Sequence, residues 1–293
     1  MKILIIGSSG LIGSALVPYL QQQGFEVGRL LRVKQKQHPY WCVDPLNFNL
    51  KEFANPDIII NLAGENIADG RWSEKRKQQL IDSRVKTTEL LVKHFKHNPP
   101  ALFINASAIG FYGERGSQIV DENSDAGNDF VSQLAQQWED SCADIESTTT
   151  RLVKIRTGIV LSNKGGALAK MLPAFKFGGG GRIGDGQQMM SWIDINDLCH
   201  AILFIIEQKQ LSGAVNLVSP NAIDNQTFSQ ALSKQLCRPC LLPLPRFMVK
   251  LLFAQMGEEL LLASTHVKPT KLLDAGFQFE YDSIQKSLAM QVK

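Results

Sequence analysis

The strongest constraint on this chain sits in its first 22 residues. Residues 2–6 (Lys-Ile-Leu-Ile-Ile) form a short apolar run. Gly7-Ser8-Ser9-Gly10-Leu11-Ile12-Gly13 follows at once, and helix-favouring sequence continues through Gln22, with Pro18 predicting a kink. Glycines spaced three apart between a strand and a helix have a specific reading. The first admits a tight turn, the second lets a diphosphate approach the backbone, and the third lets the helix pack closely on the strand. The opening of the helix offers free N–H groups and a positive dipole end to phosphates. The turn therefore points to a dinucleotide, with Gly7, Ser9, Gly10, Leu11 and Ile12 as its contacts. The same glycines argue against a signal peptide, whose apolar stretch they would interrupt.

Beyond the turn, β-type runs at 25–31, 57–62, 101–106 and 153–161 alternate with helical patterns, including one at 130–145. Nearly all-apolar strands separated by helices predict a parallel sheet covered on both faces, an α/β doubly wound sheet of the Rossmann type. After about residue 165 glycine and proline become frequent, with helices expected at 196–207, 227–236 and 246–255 and a strand at 214–218. The expected organisation is a dinucleotide-binding Rossmann domain over 1–165 and a smaller, mainly helical substrate portion over 166–293, some segments of which return to the sheet.

Composition excludes several classes. At 44% hydrophobic and 20% charged residues, the 293-residue chain is neither disordered nor fibrous. No apolar run reaches the roughly 18–20 residues of a membrane span. Five cysteines, an odd number spread widely, suit a reducing compartment. The expectation is a cytoplasmic protein without a membrane partner. Residues 71–97 hold eight Lys/Arg against three Asp/Glu, although the whole chain carries only +3. Ile81, Val85, Thr88, Val92 and Phe95 fall at helical spacing opposite these charges, so a solvated helix face is expected and a nucleic-acid partner is not.

The second strand indicates which dinucleotide. An NAD site usually ends this strand with a carboxylate for the ribose 2′-hydroxyl, whereas an NADP site offers arginine to the 2′-phosphate. Here the run is Gly28-Arg29-Leu30-Leu31-Arg32, then Lys34 and Lys36, with no carboxylate before Asp44. Arg32 can grip a phosphate bidentately, so NADP(H) is the expected cofactor.

At Asp57 to Gly64, with Asn61-Leu62-Ala63-Gly64, and at Asn105-Ala106-Ser107-Ala108-Ile109-Gly110-Phe111-Tyr112-Gly113, the chain resembles the extended short-chain dehydrogenase/reductase superfamily. That group contains the NAD-dependent epimerases and dehydratases of nucleotide sugars. Arg71-Trp72, Ser83-Arg84-Val85, Gln137-Trp138-Glu139, Arg156-Thr157-Gly158 and Ser191-Trp192-Ile193-Asp194 look like the epimerase-family proteins related to bacterial YfcH. The tail from Lys268-Pro269-Thr270 to Phe279 is similar to that group's C-terminal domain of unknown function. The resemblance implies that Leu62, Ala63 and Gly64 pass beside the adenine and ribose, and that Ala106 and Ser107 lie near the nicotinamide. It also implies a small-molecule substrate and a homodimer through the helices that bracket the active-site strand.

Oxidoreductases of that superfamily move a proton with Tyr and Lys one helical turn apart, as Tyr-x-x-x-Lys. Here Phe130 and Leu134, or Val131 and Ala135, fill the two positions, and neither pair can move a proton. The four tyrosines are Tyr19, Tyr40, Tyr112 and Tyr281, none followed by lysine at that spacing. The superfamily's catalytic serine falls on Ser107 or on Ala108. Ser107 and Tyr112 are the catalytic candidates, with Glu65 and Asp194 as further groups able to handle a proton.

Three other features have plain readings. Cys237 and Cys240 form a lone Cys-x-x-Cys without further metal ligands. Asn196 or Asp197 is expected to cap the helix that follows. Six glycines over 178–186, with Arg182 among them, predict a mobile segment, either a linker or a flap closing on an anionic ligand. Two functions remain: an NADP(H)-dependent epimerase or oxidoreductase-like enzyme with an unusual proton donor, or a non-catalytic NADP(H)-binding sensor, one linked to cell division included.

Overall fold

Alternate residues of the first strand point to opposite faces, and both faces are apolar. Ile3 and Ile5 lie on one side, Leu4 and Ile6 on the other, and all four are buried. Such a strand needs cover on both sides. The computed structural model, which describes residues 1–31, 40–41, 48–49, 53, 55–146 and 149–292, provides it.

Six strands form one parallel sheet: β1 (Lys2–Ile6), β2 (Glu26–Leu30), β3 (Ile58–Asn61), β4 (Leu102–Ala108), β5 (Arg151–Thr157) and β6 (Gly213–Leu217). Among the described residues the order is β6-β5-β4-β3-β1-β2, with Ile5 beside Arg29 on one flank and Ile60 on the other. The order reverses at β1. In an open parallel sheet a crevice forms at such a switch point, outside the carboxyl ends of the strands. The Rossmann-type doubly wound sheet is thus present, with β6 contributed from beyond residue 165.

The principal helices in chain order are α1 (Leu11–Gln22), α2 (Glu74–Asp82), α3 (Val85–Phe95), α4 (Phe130–Asp140), α5 (Gly166–Lys176), α6 (Ile195–Glu207), α7 (Asn225–Gln235), α8 (Arg246–Leu260) and α9 (Ile284–Gln291). Leu16 and Leu20 of α1 and Leu198 and Ile202 of α6 pack on one face of the sheet. Leu91, Val92 and Phe95 of α3 pack on the other. A separate core holds the C-terminal portion together, where Leu168, Phe175, Phe228, Leu232 and Leu288 surround Trp192.

Several elements differ from the periodicity. The strand expected at 153–161 is two, because the chain turns at Gly158 and Ile159–Leu161 pairs instead with Trp192–Asp194. A Cβ on Gly158 would lie 2.5 Å from the Ser191 carbonyl oxygen, so this crossing requires glycine. The basic helix breaks into α2 and α3 at Ser83-Arg84. α1 continues through Pro18. Most cations of 71–97 are engaged within the chain, as in the pairs Lys86–Asp82 (2.8 Å) and Lys96–Asp144 (3.0 Å). No helix among the described residues is long and apolar enough to cross a membrane.

Candidate cofactor site

The glycine turn has the geometry its spacing demands. Gly7 has φ +77°, and a Cβ there would lie 2.5 Å from the Leu62 carbonyl oxygen. A Cβ on Gly13 would lie 2.5 Å from both the Gly7 oxygen and Ser8 Cα. Gly10 is different: its Cβ would meet only the Gly7 oxygen, at 3.4 Å, so its outer side is open. Gly10 is also the N-cap of α1, and no side chain caps it and no acid occupies the first turn. By contrast, Ser73, Asp129, Asp194, Asp224 and Ser283 each accept a backbone N–H at the start of α2, α4, α6, α7 and α9. The first turn of α1 thus has no side-chain cap, and the outer side of its N-cap residue is open. These features fit a diphosphate.

Beside this turn lies a crevice of about 470 Å³ at the switch point. Gly7, Ser9, Gly10, Leu62, Ala63 and Gly64 line it, whereas Leu11 and Ile12, the first two residues of α1, are not among its lining residues. Ala106 is buried towards the end of β4. Arg32 lies outside the described residues. Arg29 lines the crevice in its place, and its Nε donates to Ser8 Oγ at 3.1 Å.

The Leu62–Gly64 wall is pinned from beneath. Leu62 N donates to the Ile6 oxygen (2.9 Å) and Ala63 N to Asn61 Oδ1 (3.2 Å). Asn61 Nδ2 in turn donates to Thr88 Oγ1 (2.9 Å) and Asn105 Oδ1 (2.7 Å), both buried. Arg84 is the unforeseen member. Its buried guanidinium donates to the Glu65 oxygen (2.8 Å) and the Leu80 oxygen (3.1 Å), and packs over Trp138. Burial pulls its pKa down to about 10, which leaves it charged at neutral pH. A buried cation held by carbonyls has no sequence signature beyond the Ser83-Arg84-Val85 resemblance. Glu65, Asn66 and Asp69 complete the rim, and Asp69 meets Lys170 of α5 at 2.7 Å, bridging the two portions of the chain.

The catalytic candidates do not line this crevice. Ser107 and Tyr112 belong to one buried network. Ser107 Oγ donates to Glu139 Oε1 (2.7 Å), and Arg156 clasps that carboxylate through Nε (2.8 Å) and Nη2 (2.9 Å). Arg156 Nη1 donates to the Tyr112 hydroxyl (3.0 Å), which donates to Asn216 Oδ1 (2.7 Å). Tyr112 is fully buried, and burial raises its pKa despite the Arg156 cation. Its hydroxyl is hydrogen-bonded on both sides inside the protein. Asp194 is likewise buried, capping α6 through Asn196 N and accepting from Ser287 and Gln291. Asp197, one of the two expected caps, instead accepts the backbone N–H groups of Glu280 and Tyr281. Of the proton-handling candidates, only Glu65 borders the crevice.

Val131 and Leu134, one from each of the two alternative pairs, sit in a buried cluster with Trp72, Leu80 and Met256 of α8. A Cβ on Gly110 would come within 2.2 Å of Val131 Cγ1, so the loop after β4 closes directly onto that side chain. The glycine-rich segment is also tied down. Gly181 lies against the Leu242 carbonyl, Leu242 N donates to the Gly180 oxygen (3.3 Å) and Leu244 N to the Arg182 oxygen (2.8 Å). Its glycines permit close backbone contact, where the sequence suggested a mobile linker or flap.

Residues 3–217 match the NAD dependent epimerase/dehydratase family, and residues 244–290 match the domain of unknown function DUF1731. The chain belongs to the NAD dependent epimerase/dehydratase family. Within that family it is 38% identical to an epimerase family protein of Mycobacterium leprae, over 98% of this chain and 94% of the relative. The crystal structure of human epimerase family protein SDR39U1 (isoform2) with NADPH superposes with a TM-score of 0.92 at 31% identity, covering 99% of both chains. A nucleoside-diphosphate sugar epimerase from Corynebacterium glutamicum gives 0.81 at 32% identity, over all of this chain and 58% of that one. The family match ends with β6, and the second match spans α8 through most of α9, the part that covers Val131.

Proposed function

We propose that this chain binds NADP(H) across the carboxyl edge of the sheet and serves a small-molecule substrate beside the end of β4. The observation that carries the reading is the open side of Gly10 at an uncapped helix start. In this reading the backbone of Gly7, Ser9, Gly10, Leu11 and Ile12 receives the diphosphate. Leu62, Ala63 and Gly64 border the adenine and ribose, and Ala106 lies towards the nicotinamide. Arg29 and Arg32 receive the phosphate on the adenosine ribose. The human relative crystallised with NADPH supports the phosphorylated coenzyme.

When bound, the coenzyme supplies or accepts a hydride. Glu65, at the rim, handles the accompanying proton, and the Ser107 hydroxyl, oriented by Glu139, sits behind the reacting end. The Rossmann unit of 1–165 is completed by α6 and β6, and the remainder of 166–293 forms the substrate side. The setting is cytoplasmic, and the chain pairs with a second copy through α3 and α4.

A second reading has a specific observation in its favour. Val131, at one of the alternative positions of the proton-transfer pair, is packed between Gly110 and the α8 cluster. In that case the chain is an NADP(H)-responsive binding protein with little turnover. Titration with NADPH and NADH, followed by NADPH oxidation against carbonyl compounds and nucleoside-diphosphate sugars, separates the two. Turnover that falls by about 10²–10⁴-fold in Glu65→Gln supports the enzyme. Binding without turnover supports the sensor, and no binding of either coenzyme overturns both.

A further inference from the structure

The C-terminal portion carries a concentrated apolar surface. Of the eleven exposed large apolar side chains among the described residues, seven fall at Phe177 and within residues 241–252. Phe177 is 91% exposed, Leu241 73%, Phe247 69% and Leu251 72%. Scattered exposed apolar residues are ordinary, whereas a cluster of this kind marks a contact surface.

The cluster is continuous in structure as well as in sequence. Arg238 Nε donates to the Lys176 oxygen (2.9 Å) and Leu242 N to the Gly180 oxygen (3.3 Å), which lays the chain after Phe177 alongside residues 238–242. Pro245 then starts α8, whose first half has three sectors. Val249 faces inward against Gly257. Phe247, Met248, Leu251 and Leu252 form the outward face, and Arg246 and Lys250 stand one turn apart on its flank. The half-helix ends at Ala254, a non-glycine residue at φ 49°. Beyond that kink Met256 turns into the core beside Trp72 and Val131.

The charge around this face is predominantly positive, with Glu258 the acid beside Lys250 and Arg246. Residues 234–252 contain Lys234, Arg238, Arg246 and Lys250 and no Asp or Glu, and Lys176 adjoins Phe177. Lys250 is matched by Glu258 at 2.5 Å, and the other four make no ion pair among the described residues. A two-fold contact between copies would set this positive face against itself, which opposes self-association. An apolar face ringed by Lys and Arg is the pattern of an element lying in the headgroup region of an anionic bilayer.

We propose that the surface formed by Phe177, Leu241, Leu242 and the first half of α8 docks on anionic lipid membranes. The contact is peripheral, and none of its residues lines the coenzyme crevice. The test is co-sedimentation of the full chain with vesicles of phosphatidylcholine alone and of equimolar phosphatidylcholine and phosphatidylglycerol. The chain is expected to sediment with the anionic vesicles only, and to be released by high salt. Phe247→Ser and Leu251→Ser should each weaken the partition about tenfold, and Arg238→Glu with Arg246→Glu should abolish it. NADPH affinity should stay unchanged in all these variants, which reports an intact fold. No sedimentation of the wild type, equal binding to neutral vesicles, or unaltered partition of the serine variants overturns the proposal. So does a dimer, seen by light scattering, that the serine variants dissociate.

Discussion

Arg29 Nε lies 3.1 Å from Ser8 Oγ, so a residue of β2 and a residue of the glycine turn are joined at the lip of the crevice. The bond uses one of five guanidinium donors, and the two terminal nitrogens make no hydrogen bond among the described residues. A guanidinium fixed through Nε presents its fork to an incoming phosphate. Arg29→Ala is therefore expected to weaken NADPH about tenfold, about 1.4 kcal/mol, with little change for NADH. Arg29→Asp should reverse the preference. Competitive titration of the two coenzymes reads this directly, and an equal loss for both would assign Arg29 to holding the turn.

Gly10 and Gly13 separate binding from stability. A methyl group at Gly13 meets backbone atoms that cannot yield, so Gly13→Ala should cost about 1–3 kcal/mol of stability. A methyl group at Gly10 points into open space at an ordinary φ of −74°. Gly10→Ala should leave thermal unfolding nearly unchanged while weakening coenzyme binding. Unfolding scans with and without NADPH distinguish the two variants.

Arg156 and Glu139 are a buried bidentate pair, 5% and 6% exposed. Removing one partner strands the other charge in the interior. Glu139→Gln or Arg156→Met should each cost about 3–5 kcal/mol. The double variant should lose clearly less than the sum, and denaturant unfolding of the four proteins measures the coupling.

Glu122 sets a pH dependence. Its Oε1 accepts from Asn216 N (3.0 Å) and Lys271 N (3.4 Å), but Oε2 is buried without a hydrogen-bond partner among the described residues. Burial raises its pKa above the ordinary 4.5, which those hydrogen bonds only partly offset. A raised folded-state pKa favours the protonated fold, so the contribution to stability is complete below pH 4.5 and declines as pH rises through the folded value. Glu122→Gln removes that decline. The variant's stability relative to wild type should rise with pH across this window and be flat below it, as followed by urea unfolding at a series of pH values.

The parts of the fold legible in the sequence are those set by local pattern. The apolar run of β1, the glycine turn and α1 depend on neighbours within a few residues, and the ends expected at Ile6 and Gln22 agree with the structure. Contacts made at long range were not legible. Gly158 redirects the chain because Ser191, distant in sequence, lies against it, and the glycines of 178–186 serve packing on Phe175 and Leu242. Arg84 read as one more cation of a solvated helix, since only the folded carbonyls of Leu80 and Glu65 explain its burial. The crevice itself was visible through Gly7, Gly10 and Leu62–Gly64. The burial of Ser107 and Tyr112 was not, because the Arg156 and Glu139 that hold them come from separate elements.

Isothermal calorimetry of the full chain with NADPH, at concentrations up to the millimolar range, tests the central claim. The structure predicts saturable heat at one site per chain, with affinity weakened in Gly10→Ala and in Arg29→Ala, and with weaker binding of NADH. Absence of heat with NADPH, or heat that Gly10→Ala leaves unchanged, would contradict a coenzyme resting on the opening of α1.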